Sequence, residues 1–256
     1  NSTTTDGTFT VTQGKVECLS LTSHDFDGSN DYISLGTGLT TFDGATEGTI
    51  SAWVKRDGTG SEDSIISHYD SSDSSRQFNF LVNSSNQAKL SVQNDKSSYN
   101  SAHDVTGTTS LASGTWYHIL GTFSTTNGQK IYVNGVHEAT ATTTIEDALD
   151  TVTSEANIGV LEQGGSYTAH ASANIRDVRL YTHELSADQV ASLYSGSYNV
   201  TPTNWWKIDE DTGATGTIED YGTGTDVDGT GVSLGAYVNG TLDLDGNVTI
   251  AANGTL

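Results

Sequence analysis

Gly114-Thr115-Trp116-Tyr117-His118-Ile119-Leu120-Gly121-Thr122-Phe123-Ser124-Thr125-Thr126-Asn127-Gly128-Gln129-Lys130-Ile131-Tyr132-Val133-Asn134-Gly135-Val136 holds two runs rich in aromatic and β-branched residues, Thr115 to Phe123 and Lys130 to Val133. They are parted by Asn127-Gly128 and closed by Asn134-Gly135. Such side chains fit a pleated, half-buried surface, and Asn-Gly pairs supply positive φ at low steric cost. The segment from Gly121 to Val136 therefore reads as a β-hairpin. Similar short runs recur on both sides: Thr8 to Thr12, Val16 to Leu21, Tyr32 to Leu35, Thr49 to Lys55, Ser64 to His68, Gln77 to Val82, Lys89 to Gln93, Ala156 to Val160 and Ala173 to Tyr181. With Asp27-Gly28 and Asp57-Gly58 as further turn signals, this spacing is that of an all-β sandwich.

Composition agrees with that pattern. The chain has 256 residues, 34% hydrophobic, enough to bury a substantial core. Its 28 glycines, single proline and abundant Ser and Thr favour short strands and turns over long helices. Ten Lys and Arg stand against 32 Asp and Glu, a formal net charge of −22. Such a surface repels phosphate backbones and anionic headgroups, which argues against nucleic-acid and membrane partners. No run approaches the roughly 20 apolar residues of a bilayer span, so a soluble chain is expected. The start at Asn1, with no Met and no basic-then-apolar leader, reads as that of a processed or excised piece. Cys18 is the single cysteine, which excludes an internal disulfide and reads as a buried strand residue. Six Asn-x-Ser/Thr sequons, at Asn1, Asn83, Asn199, Asn239, Asn247 and Asn253, fit an exposed surface outside the cytosol, although a Ser/Thr-rich chain generates such sequons by chance.

One helix is expected near residues 186–195. Ser186 with Gln189 forms a capping box, Val190, Leu193 and Tyr194 share a face, and Gly196 suits the left-handed position past the end. Residues 199–203, with Pro202, read as a linker. Beyond them, Leu242-Asp243-Leu244-Asp245-Gly246 echoes His24-Asp25-Phe26-Asp27-Gly28.

Four motifs in order resemble the laminin G-like branch of the concanavalin A-like lectin/glucanase superfamily. They are Phe26-Asp27-Gly28-x-x-Asp31-Tyr32; Thr49-Ile50-Ser51-Ala52-Trp53-Val54-Lys55; Gly114-Thr115-Trp116-Tyr117-His118 with Ile131-Tyr132-Val133-Asn134-Gly135; and Ile175-Arg176-Asp177-Val178-Arg179-Leu180-Tyr181 leading to Leu185-Ser186-x-x-Gln189. The resemblance implies a jelly-roll sandwich of two antiparallel sheets spanning residues 1–198. Residues 204–256, opening with Asn204-Trp205-Trp206, look like the start of a second such domain. A lone opening segment cannot bury its apolar face, so it is expected to pack on the first domain or on a neighbouring copy, which leaves a homo-oligomer open.

The resemblance also directs attention to candidate sites. Asp27, Asn30 and Asp31 share one turn, and Asp177 enters a last strand that in this fold runs beside the first; hard oxygen donors of this kind suit a structural Ca²⁺. The plainer alternative is an Asx turn and a solvated Asp177. Asp220, Asp226 and Asp228 read as a solvated acidic loop. The glucanase branch carries alternating catalytic carboxylates on one strand, because a retaining hydrolase needs two carboxyls about 5–5.5 Å apart. No Glu-x-Asp-x-Glu pattern occurs, and the nearest approach, Glu146-Asp147-x-x-Asp150, falls in an expected loop. His118 lies in the Trp116 strand, where a structural role is expected. Sugars are held by aromatic faces and planar polar side chains supplied by rim loops, and three segments offer these: His68, Tyr69, Asp70, Asp73 and Arg76; Tyr99, Asn100 and His103; and Tyr167 with His170. The expected function is a non-catalytic module that binds glycans or mediates adhesion, extracellular or on a cell or particle surface. The other reading is a structural subunit of a virion decoration, tail fibre or filament, completed between copies by the C-terminal segment.

Overall fold

The computed structural model describes residues 7–9, 23–72, 74–141, 143–210, 212–235, 237–238 and 250–252. Cys18, the run Val16 to Leu21, the end of the run Thr8 to Thr12, Asp73 and the echo Leu242 to Gly246 lie outside the described residues. Two antiparallel eight-stranded sheets face each other, the jelly-roll sandwich that the motifs imply. The first sheet runs, in spatial order, Val136–Thr140, Lys130–Val133, Trp116–Ser124, Glu47–Arg56, Ser172–Tyr181, Ser23–Asp27 and Tyr237–Val238, with Asn204–Trp206 also paired to Ser172–Tyr181. The second runs Thr217–Ile218, Gly229–Val232, Tyr32–Gly36, Ala156–Ile158, Asp63–Asp70, Ser75–Val82, Ala88–Val92 and Val105–Thr106. A two-stranded ribbon, Leu161–Gln163 with Ser166–Thr168, pairs with neither sheet.

Period-2 alternation explains the layers. Along Glu47–Arg56, Ile50, Ala52 and Val54 enter the core while Trp53 and Lys55 stay half-buried on the outer face. Across the core, Phe78, Phe80 and Val82 of Ser75–Val82 meet them, with Asn79 and Leu81 on the other face of their strand. Phe42 bridges the sheets, edge-on to Phe78 at 5.5 Å and to Phe123 at 5.0 Å between centroids. Here a glycine is required: a Cβ on Gly48 would lie 2.6 Å from both Phe42 and Phe123. Each such buried side chain contributes roughly 1.5–3 kcal/mol.

The helix spans Ala187–Tyr194, Ser186 and Gln189 form the reciprocal capping box, and Gly196 adopts φ 73°. Its Val190 and Leu193 close a small outer core with Leu120, Tyr132 and Tyr181 on the first sheet and with Leu185 just before the helix. Tyr194, assigned to that buried face by spacing, is instead 39% exposed: it sits at the rim of the helix footprint, where its ring stacks on Trp53 at 5.8 Å.

The strands of the segment after residue 203 pair within their own chain. Asn204, Trp205 and Trp206 face Leu180, Arg179 and Val178, Gly229–Val232 pairs with Tyr32–Gly36, and Tyr237–Val238 pairs with Ser23–Asp27. Trp206 is fully buried in the main core, and Asn204 bonds to Thr41, Asp220 and the Thr225 carbonyl. No helix among the described residues is long and apolar enough to cross a membrane.

Candidate functional site

On the outer face of the second sheet lies a groove of about 450 Å³. Its floor is set by strand register: Asn79 lies opposite Ser91 and Leu81 opposite Lys89, so their side chains stand together on the face turned away from the core. Around them rise Tyr69, Ser71, Arg76, Tyr99, Glu62, Leu161 and Gln163. Of the residues singled out in the sequence, Tyr69, Arg76 and Tyr99 meet here, although they come from separate segments.

Arg76 ties the walls together. Its Nη1 donates to the Lys96 and Ser97 carbonyls at 3.3 and 3.0 Å, its Nη2 to the Ser71 carbonyl at 3.1 Å, and its guanidinium covers the Tyr69 ring at 5.9 Å. Tyr99 is 48% exposed, so much of its surface is open to solvent. Its hydroxyl donates to Asp104, which also accepts from Lys89 Nζ at 2.8 Å. Burial and the Asp104 carboxylate push the Tyr99 hydroxyl up, so it stays a protonated donor at neutral pH. Asn100 holds this wall in place: it caps the short helical turn Ser101–His103, and its N–H donates to Gln93 Oε1 at 2.8 Å.

The other candidates serve elsewhere. His68 is buried, with Nε2 3.1 Å from the Ser154 carbonyl and its ring edge-on to Phe78. Burial raises the Asp70 carboxyl, but hydrogen bonds from the Ser72 N–H and hydroxyl and from the Gly164 and Gly165 N–H groups outweigh it and hold Asp70 below the usual range. Asp70 thus anchors the ribbon over the strand end. Tyr167 pairs across the ribbon with Glu162, while Leu161 and Gln163 point to the groove. It therefore occupies the opposite face, where its ring packs on Tyr32 at 4.9 Å. His103 is buried, its carbonyl accepting from Gln129 Nε2. Asn79, Lys89, Ser91, Gln163 and Glu62 escaped the sequence reading. The available signal was polar residues at the outward positions of otherwise apolar strands.

The proposed calcium ligands do not form one shell. Asp27 Oδ1 accepts from the Ser29 and Asn30 N–H groups at 2.8 and 3.4 Å, the geometry of an Asx turn, and Gly28 beside it adopts φ 77°. Asp31 is 3% exposed, and its Oδ2 accepts from the Asp27 N–H at 3.1 Å; burial pushes its carboxyl up. Ser172–Tyr181 does run beside Ser23–Asp27, but Ser172 is the residue opposite Asp27. Asp177 is five positions farther along, roughly 15 Å at the rise of a strand. Its Oδ1 accepts instead from Arg179 Nη2 at 2.9 Å and Trp205 Nε1 at 3.0 Å. Among the described residues no group of three or more His, Cys, Asp or Glu is arranged to hold a metal ion. In the acidic loop, Asp220 is structural, accepting from the Trp205, Gly222 and Val227 N–H groups and from Asn204 Nδ2.

The outer face of the first sheet carries a ladder of rings and cations. Arg176 lies 5.3 Å from the Trp53 ring and 4.7 Å from Trp116, Lys55 5.6 Å from Trp116, and Arg179 4.6 Å from Trp205. His118 is buried against Trp53 and Tyr194. Burial, with the positive charge of Arg179 adding to it, drives its imidazole down to about 3. An unfolded histidine titrates at about 6.5. Between these values the unfolded chain binds a proton that the folded chain refuses, so His118 lowers stability as pH falls through this window, by about 1.4 kcal/mol per pH unit. Urea midpoints of the wild type and His118→Phe should therefore diverge below about pH 6.5, the variant lacking this slope. Parallel pH profiles would show that His118 is not held neutral.

The sequence matches the laminin G-type family described as the concanavalin A-like lectin/glucanases superfamily over residues 27–191. No curated protein matches the chain in sequence. Among solved structures, a candidate carbohydrate binding protein from Bacteroides ovatus aligns with TM-score 0.62 and 19% identity over 90% of this chain and 62% of its own. The CBM40 of the Ruminococcus gnavus IT-sialidase, solved with α2,3-sialyllactose, aligns with TM-score 0.56 and 14% identity over 68% of this chain and 98% of its own. A heptameric SAP-like pentraxin from Limulus polyphemus gives TM-score 0.53 and 18% identity over 69% and 82%.

Proposed function

Because the chain belongs to the concanavalin A-like lectin/glucanase superfamily across residues 27–191, we propose that it is a carbohydrate-binding module, acting outside the cell or at a surface, that holds a saccharide in the groove of the second sheet without cleaving it. The observation that carries this reading is the convergence of Tyr69, Arg76 and Tyr99 with Asn79, Ser91 and Gln163 around one cleft of about 450 Å³. Tyr99 offers an exposed ring against which the apolar C–H face of a sugar can pack. The Asn79, Gln163 and Ser91 side chains supply paired donors and acceptors for its hydroxyls. One carboxylate, Glu62, is among the lining residues, whereas hydrolysis of a glycosidic bond calls for two. The solved Bacteroides ovatus and Ruminococcus gnavus neighbours, described in carbohydrate-binding terms, support the same reading.

A glycan array followed by titration calorimetry on the best ligand tests it. Tyr99→Ala, at an exposed wall position, should weaken binding at least about tenfold, and Tyr167→Ala, on the far face of the ribbon, should leave affinity within about twofold. An array with no retained glycan, or equal affinity for Tyr99→Ala and wild type, would sink the proposal.

A further inference from the structure

We propose that the cleft beside the end of the helix, on the opposite sheet from the groove, is a second saccharide site, so that the module can hold two sugars on its two faces. Two adjoining cavities of about 220 and 200 Å³ lie between the helix Ala187–Tyr194 and the strand Asn204–Trp206, and they share Arg179 and Tyr198. That this site is a second one rests on the reading of the groove, whereas binding in the cleft depends on its own lining alone.

The lining is built around an acceptor and a donor fixed side by side. The pairing of Ser172–Tyr181 with Glu47–Arg56 breaks register between Arg176 and Arg179, and within that break Asp177 adopts φ 51°. A non-glycine residue in the left-handed region costs free energy and persists only where its surroundings demand it. Here the bulge sets the Asp177 carboxylate against Arg179. Among the described residues both side-chain bonds to its carboxylate, from Arg179 Nη2 and Trp205 Nε1, end on Oδ1, which leaves Oδ2 to accept from a ligand. Arg179 gives an Nη2 N–H to Asp177, and with 21% of its side chain exposed it keeps further guanidinium N–H groups to donate to a ligand. Trp53 and Tyr194 form an aromatic wall, stacked at 5.8 Å with 30° between planes.

This combination selects a ligand class. An anion drawn to Arg179 would meet the Asp177 carboxylate, and a cation drawn to Asp177 would meet the guanidinium. A sugar hydroxyl both donates and accepts, so adjacent hydroxyls can give a proton to Asp177 and receive one from Arg179. The aromatic wall meets the C–H face of the same ring. The cleft therefore fits an uncharged pyranose. Sites on opposite faces would let one module join two glycan chains, or engage one surface with the higher effective concentration that a second contact confers.

The test is a residue-resolved NMR titration of the ¹⁵N-labelled chain with D-glucose, D-galactose and N-acetyl-D-glucosamine. At least one sugar should move the amides of Asp177, Arg179 and Tyr194–Gly196 and the Trp205 indole N–H in a saturable way. Ser195→Trp, which fills the mouth of the cleft from an exposed position, should abolish these shifts, and Tyr99→Ala in the distant groove should leave them intact. Asp177→Asn keeps a residue that tolerates positive φ and should weaken the cleft interaction at least tenfold. Shifts confined to the groove, no saturable shift at the cleft with any of the three sugars, or cleft shifts that survive Ser195→Trp would each overturn the proposal.

Discussion

Trp206→Ala is expected to lower stability by about 3–5 kcal/mol, the range for deleting a large aromatic from a packed interior. Trp206 is fully buried in the main core, and its Nε1–H donates to the Val227 carbonyl at 2.8 Å. Truncation therefore opens a cavity and leaves that carbonyl without its donor. The surroundings are poorly able to collapse into the space, because Trp206 pairs with Val178 on one side and bridges to Asp220 on the other. The adjacent Trp205→Ala serves as the control. Trp205 is half-buried on the outer face and covered by Arg179 at 4.6 Å and Lys207 at 5.0 Å, and its loss should cost about 1 kcal/mol. Urea denaturation followed by far-ultraviolet circular dichroism measures both. Equal, small losses for the two variants would mean that the segment from residue 204 contributes little to the sandwich.

The second large effect is expected at Asp63. Arg56 and Asp63 are each 1% exposed, with Arg56 Nε 2.5 Å from Asp63 Oδ2. The guanidinium also donates to Asn86 Oδ1 at 2.6 Å and to the Ser61 carbonyl at 3.0 Å. Asp63→Ala strands a buried positive charge, which costs about 3–5 kcal/mol. Replacing both partners, with Arg56→Met and Asp63→Leu, removes the uncompensated charge and should recover much of that loss. A full double-mutant cycle by urea denaturation distinguishes the pair energy from the penalty of a lone charge. If Asp63→Ala cost no more than a surface substitution, the pair would not be shielded as its burial implies. Because Glu62 precedes Asp63 and lines the groove, Asp63→Ala should also weaken glycan binding.

Local features of this fold were legible in the sequence. The hairpin around Asn127-Gly128 and the helix capped by Ser186 depend on turn chemistry and capping within a few residues, and both are present. The groove was half legible. Tyr69, Arg76 and Tyr99 stand out because aromatic and cationic residues in polar loops are conspicuous, whereas Asn79 and Ser91 look like ordinary outward positions until strand register sets them side by side. Asp70 and His68 carry the same chemistry as binding residues, but burial commits them to backbone partners. Asp177 misled for a different reason. Adjacent strands in a sandwich lie close, yet closeness of strands does not fix which residues stand opposite. Register placed Ser172 opposite Asp27, and the bulge turned Asp177 toward Arg179 and Trp205.

Strand Ser172–Tyr181 has a divided edge. Residues 172–175 pair with Ser23–Asp27, and residues 178–180 pair with Asn204–Trp206, so an early and a late strand lie end to end along one partner. This arrangement governs the order of assembly during synthesis. The ribosome delivers roughly 5–20 residues per second, so for roughly 1–5 s after Tyr181 the nascent sheet has half of that edge open and lacks the indole of Trp206. Pairings of such long sequence separation place the chain among slow folders, and an open edge is a template for a neighbouring nascent chain. Yield in the cell should therefore depend on how quickly residues 204–206 emerge and dock, a kinetic requirement separate from the stability of the finished sandwich.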